Sequence, residues 1–204
     1  MIVESCCTSL DEARLAQERG ADRIELCTDL SVGGLTPSHD LIQKVISHLT
    51  IPVNILIRPS RHLDFVYDAY DIRQMLEDIA FCQSAGAAGI VVGALTPEGG
   101  IDVDALRRLV AAAAPLPVTF HRAYDVATED PFEALEKIIA AGCTRLLTSG
   151  RAATAWDGHA LIARLVEAAA GRLVILAGRG VTPANLPALA QATGAPEFHG
   201  TALP

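Results

Sequence analysis

Residues 20–26 read Gly-Ala-Asp-Arg-Ile-Glu-Leu, GADRIEL. The glycine closes a helix-like stretch, and an apolar run begins three or four residues later. The same phrase returns as GAAGIVV at Gly86, GCTRLLT at Gly142 and GAPEFHG at Gly194. A glycine just past a helix, followed closely by a strand, marks the short αβ loop of an alternating fold. The four glycines lie 66, 56 and 52 residues apart. Each interval holds two β-α units of roughly 26 to 33 residues, the size of a βαβ element.

Filling the intervals gives eight strands, at about 2–7, 23–27, 53–58, 89–95, 117–122, 145–149, 173–177 and 197–201. Helix starts stand between them. Ser9 to Glu12 reads as a capping box. Asp130-Pro131 and Thr182-Pro183 place a cap residue before a proline at the first helical position. Asp102 can cap the run VDALRRLVAAA. Leu41, Ile42, Val45, Ile46 and Leu49 make one apolar helix stripe. Strict alternation predicts a parallel sheet. The even repeat favours a TIM (β/α)8 barrel over a doubly wound open sheet, and no GxGxxG follows the first strand. One domain spans 1–204. Only Ala202, Leu203 and Pro204 follow the last strand, so the final helix is expected to be missing or abbreviated, and a partner chain or an unusual loop to cover strands 8 and 1.

The chain has 204 residues, half of them hydrophobic, and a formal net charge of −8. That length buries a large core without disulfides or a structural metal. The acidic balance argues against nucleic acid as a partner, which calls for a basic face. No leader segment and no apolar run of about 18 residues is present, so a cytoplasmic protein off the membrane is expected. Five cysteines, without a CxxC pair, read as free thiols.

Strand alternation assigns faces. Apolar residues must meet the helices, so Ile24, Leu26, Val53, Ile55, Ile57, Val118 and Phe120 point outward. The barrel interior then receives Glu4, Cys6, Glu25, Cys27, Asn54, Arg58, Thr119, His121 and His199. Interiors of this fold are ordinarily filled by Val, Ile and Leu. Burying so many ionisable groups costs several kcal/mol per charge unless they are paired. Either they form a self-satisfying ion network or they build a pocket at the C-terminal mouth, where barrels place their chemistry. In the pocket reading, His121 moves a proton with help from Glu25, and Arg58 clamps an anion; otherwise Arg58 simply pairs with Glu25. Arg122 alternates outward and pairs with Asp125 or a helix end. Ser149 and Gly150 after strand 6, and Gly178, Arg179 and Gly180 after strand 7, could bind an anion through their amides. The competing reading is that these glycines only serve tight turns. Cys6 and Cys27 face the same way on adjacent strands, and a thiol pair suits a soft ion such as copper(I). The plain alternative is a pair of inert buried cysteines. No organic cofactor is evident.

Taken in order, ADRIELC, GGLTPS, IRP, GALTPEG with IDVDALRRL, LPVTFHRAYD, RLLTSG and EFHGTA cover nearly the whole chain and resemble the CutC copper homeostasis family. The resemblance implies a TIM barrel, a cytoplasmic homodimer or homotetramer, an association with copper tolerance, and Cys6 and Cys27 as copper-binding thiols. Three departures stand out: the loop SRHLDF after Arg58-Pro59 is one residue longer than usual and lacks its glycines, Arg179 replaces a usual glycine, and Thr8 stands where an aspartate is common. The expected function is therefore copper(I) binding through interior thiols. The alternative is a barrel enzyme of lyase, isomerase or hydrolase type, acting on a small anionic or phosphorylated metabolite.

Overall fold

In the computed structural model all eight expected strands form, and residues 1–201 and 203 are described. The strands are β1 (Ile2–Cys7), β2 (Arg23–Leu26), β3 (Val53–Leu56), β4 (Gly89–Val92), β5 (Val118–Phe120), β6 (Arg145–Thr148), β7 (Val174–Gly178) and β8 (Glu197–Gly200). They pair in parallel in chain order, and β8 closes on β1 through Val3 opposite Phe198 and Glu4 opposite His199. This is the TIM-barrel topology. Among the described residues seven helices return the chain: α1 (Leu10–Glu18), α2 (His39–His48), α3 (Ala69–Ala85), α4 (Val103–Ala113), α5 (Pro131–Ala140), α6 (His159–Ala169) and α7 (Leu186–Thr193).

The opening phrase folds as its residues dictate. Gly20 takes φ +95°, and Gly86, Gly142 and Gly194 also lie in the left-handed region, where a side chain would meet the following carbonyl. The outward strand residues Ile24, Ile55, Ile90, Phe120, Leu146 and Phe198 are fully or almost fully buried against the helices. They form one continuous core between sheet and helix ring.

Caps form at most of the expected places. Ser9, Asp102 and Asp130 accept amides from the first turns of α1, α4 and α5. Glu12 reaches one residue further back than a capping box requires, to the amide and hydroxyl of Thr8. Thr182 caps the turn that leads into α7: the Thr182 amide donates to Asn185 Oδ1 and the Asn185 amide donates to Thr182 Oγ1, the reciprocal pattern of a capping box. The Leu186 amide donates to the Thr182 carbonyl at 3.0 Å, and α7 proper begins at Leu186.

No helix follows β8 among the described residues; Ala202 and Pro204, on which that expectation partly falls, lie outside them. Phe198 is nevertheless fully buried within the chain, and Leu203 is 1% exposed. Phe198, on the outer face of β8, thus packs within the chain itself.

β5 is shorter than expected. It stops at Phe120, because His121 turns its Nδ1 to accept the amide of Ala123 at 3.1 Å and starts a single 3-10 turn over Arg122–Val126. Alternation ends there, with consequences for the site.

Candidate functional site

The interior divides into two polar layers. The lower layer lies at the N-terminal ends of the strands. Arg23 donates through Nε to Glu4 at 2.5 Å and through its terminal nitrogen to Glu197 at 2.6 Å. Arg145 also donates to Glu197, at 2.9 Å, and Asn54 donates to Glu4 at 3.1 Å. Every charge here has an opposite partner. This layer is the self-satisfying network, and it closes the barrel floor.

The upper layer opens into a cavity of about 670 Å³ at the C-terminal mouth. Cys6, Glu25, Cys27, Arg58, His121 and His199, six of the expected interior residues, line it. Asn54 belongs to the lower layer instead. Thr119 is buried but does not line the cavity.

Glu4 links the layers. Its other oxygen accepts His199 Nδ1 at 2.8 Å. Burial opposes ionisation of Glu4, but the hydrogen bond and charge of His199 and the charge of Arg23 outweigh it, holding Glu4 at about 2. Burial likewise opposes charging His199, but Glu25 and Glu4 prevail and raise its pKa. His199 Nδ1 is 3.9 Å from Glu25 Oε2, an oxygen with no hydrogen-bond partner. Burial pushes Glu25 up to about 7, partly relieved by the charge of His199. Glu25 can therefore hold or release a proton near neutrality.

His121 is placed as expected but in a different chemical state. Its Nδ1 is occupied by the Ala123 amide, so neutral His121 carries its hydrogen on Nε2. Nε2 is buried and has no partner. Burial first, and then the charges of Arg58 and Arg122, lower its pKa to about 3. At neutral pH it is a hydrogen-bond donor and a poor base. Gly93 makes room for it, since a Cβ there would sit 2.4 Å from the Nδ1 and Cε1 edge of the ring.

Arg58 does not pair with Glu25, and most of its guanidinium is already committed to backbone carbonyls. It donates to the carbonyls of Val32 at 2.6 Å, Gly34 at 2.8 Å and His62 at 3.0 Å, and stacks over Phe65. These bonds consume most of its fork. Its work is to tie the loops after β2 and β3 into the walls of the mouth, leaving Nε without a partner.

Ser149 and Gly150 also depart from expectation. The carboxylate of Asp125 already occupies their loop. It accepts Thr148 Oγ1 at 2.5 Å, the Ser149 amide and hydroxyl at about 3.0 Å and the Arg151 amide at 3.2 Å. The Gly150 amide turns back to Thr148 Oγ1. An internal anion fills the nest, so neither residue lines the cavity. Gly178 stands inside β7, where a Cβ would meet Leu147 at 2.5 Å and His199 at 3.3 Å. Its smallness serves packing. Arg179 and Gly180 do line the mouth.

Two features were missed. Arg122, which alternation would send outward, lines the cavity because β5 ends before it; its Nε pairs with Asp125 at 3.2 Å, as expected. The apolar rim of Leu30, Leu63 and Val126 had no periodic signal, being scattered over three loops.

The thiols meet as expected. Cys6 Sγ and Cys27 Sγ are 3.4 Å apart, buried and unbridged. Their contact and their burial push the Cys6 thiol far above its ordinary range. Cys6, Glu25 and His199 also bring donor atoms within 4.8 Å of one another.

The CutC family model matches residues 1–203. The chain belongs to the CutC family. A CutC family protein of Chromobacterium violaceum is 49% identical over 201 residues, which are 98% of this chain and 81% of that protein. The copper homeostasis protein cutC homolog of Homo sapiens is 46% identical over 201 residues, 98% of this chain and 73% of its own. The crystal structure of a CutC protein from Streptococcus agalactiae superposes with a TM-score of 0.94 at 34% identity, covering all of both chains. In this CutC-family chain the thiol pair, Glu25, His121 and His199 thus share one cavity on a barrel of the family's own shape. Among the described residues, no helix is long and apolar enough to cross a membrane.

Proposed function

We propose that this CutC-family protein binds copper(I) through Cys6 and Cys27, in keeping with the copper homeostasis role carried by the name of its human relative. The observation that carries the reading is the 3.4 Å approach of the two sulfurs on the cavity floor, with Glu25 and His199 donors close to Cys6. Thiolates are the soft ligands that select copper(I). With metal–sulfur bonds of about 2.3 Å, a linear bridge would need sulfurs about 4.6 Å apart. The observed separation suits a bent site that takes a third ligand, and His199 is the candidate. Binding releases the thiol protons, and Glu25, whose Oε2 has no partner, stands beside Cys6 to receive one of them.

Anaerobic titration against a chromophoric copper(I) chelator tests this. One copper(I) per chain is expected, and the Cys6→Ser/Cys27→Ser double variant should lose at least 100-fold in affinity. Unchanged stoichiometry and affinity in that variant would refute the proposal.

A further inference from the structure

The copper site occupies only the floor of the cavity. A single ion needs no more room than a water molecule, about 30 Å³, yet the cavity measures about 670 Å³. That volume lies in the range of organic ligand sites. Three unpartnered buried atoms belong to residues lining the same space: Glu25 Oε2, Arg58 Nε and His121 Nε2. Buried polar atoms without partners are rare in folded proteins. His121 is 6% exposed, and its Nδ1–Cε1 edge lies over Gly93, so the Nε2–H is the free end of the ring.

The second group is Arg122. Asp125 fixes it through Nε, and its terminal nitrogens have no protein acceptor among the described residues. The third feature is the rim. Leu30, Leu63 and Val126 line the cavity and are 42%, 65% and 53% exposed. Large exposed apolar side chains gathered round a concave polar site mark a place where an apolar body is covered.

We infer that the mouth of the barrel binds a small organic carboxylate with an apolar body, its carboxylate held by His121 Nε2–H and the Arg122 guanidinium and its body seated against Leu30, Leu63 and Val126. A carboxylate suits the site better than a phosphate dianion. Arg122 and the His121 N–H together match a single planar charge; Arg179 also lines the mouth, at its exposed edge, but the nest after β6 that could have cradled a phosphate is filled by Asp125. The site is distinct from the copper reading and needs neither thiol.

Isothermal titration of the full chain, stripped with a copper(I) chelator, tests this with 3-phenylpropanoate as probe. The comparison arms are propanoate, 3-phenylpropanol and phenyl phosphate. One molecule of 3-phenylpropanoate per chain is expected, with propanoate and 3-phenylpropanol each at least tenfold weaker. Arg122→Met should weaken 3-phenylpropanoate at least tenfold, and Arg73→Met, a charge-matched change on the outside of α3, should not. Leu63→Ser, at an exposed position that leaves folding intact, should weaken 3-phenylpropanoate severalfold and leave propanoate unchanged. Lack of millimolar binding by 3-phenylpropanoate, indifference to Arg122→Met, or binding only after copper(I) is added would overturn the inference. Tighter binding of phenyl phosphate would overturn the choice of carboxylate.

Discussion

His121 shows how far a single residue departs from its reputation. In an unfolded chain it titrates near 6.5; in the barrel, burial and two arginine charges lower it to about 3. The unfolded state therefore takes up a proton between those values while the folded state does not. Stability is present above pH 6.5 and is lost as pH falls toward 3, by up to roughly 1.4 kcal/mol for each unit of pKa difference. His121→Gln removes this linkage. Urea unfolding from pH 7 to pH 4 should show a shallower acid loss in the variant than in the parent; parallel curves would mean that His121 is not held neutral. Arg179 carries a different cost. Its φ of +78° is left-handed, a conformation that disfavours any side chain by about 1–2 kcal/mol. Arg179→Gly should raise the urea midpoint by an amount equivalent to about 1 kcal/mol, since relief of the strain is partly offset by glycine's greater unfolded-state entropy. A lowered midpoint would show that the Arg179 side chain contributes more than its backbone loses.

Among the elements, the βα loops set what could be read from sequence and what could not. Strand alternation placed Glu4, Cys6, Glu25, Cys27 and His199 inside, because a period of two is enforced by the pleat. It held one or two residues past the strand ends, at Cys27, Arg58 and His121, and failed at Arg122. At His121 a side chain captured a backbone amide, the chain turned, and Arg122 swung to the cavity. No periodicity reports such a capture. Arg23 was available to the same reasoning, since it shares a face with Glu25 in GADRIEL, and alternation alone would have found the floor network. The loop after β6 was read from its glycine as an anion nest, which it is, but its anion is Asp125 from another loop. That pairing has no signature along the chain. It makes Asp125 the pin of both loops, and Asp125→Ala should cost about 3 kcal/mol, since several charge-assisted bonds go unmade and buried amides lose their acceptor. Hydrogen exchange should quicken at Ser149 and Arg151 while β6 itself stays protected. Uniform exchange across β6 and the loop would argue against a local role.

At the scale of the whole molecule, the barrel separates a charged floor that only holds the fold together from a mouth with unspent hydrogen bonds. Arg23 is the centre of the floor. It neutralises Glu4 and Glu197 together, with its side chain 9% exposed. A buried pair contributes little against an apolar replacement of the whole set, but removing one partner strands the others. Arg23→Met should therefore cost about 3–5 kcal/mol at pH 7. The pH dependence identifies the cause. Glu4 in the parent is lowered from 4.5 to about 2, so its contribution is complete above pH 4.5 and disappears as pH falls through 2. Without Arg23 the Glu4 pKa rises from that value, although His199, the larger cause, still holds it down, and the acid-linked loss shrinks. Denaturation at pH 7 and pH 3.5 should find the deficit of the variant smaller at the lower pH. A deficit independent of pH would instead assign the cost to lost packing of the arginine stem, and the floor would then be held by shape rather than charge.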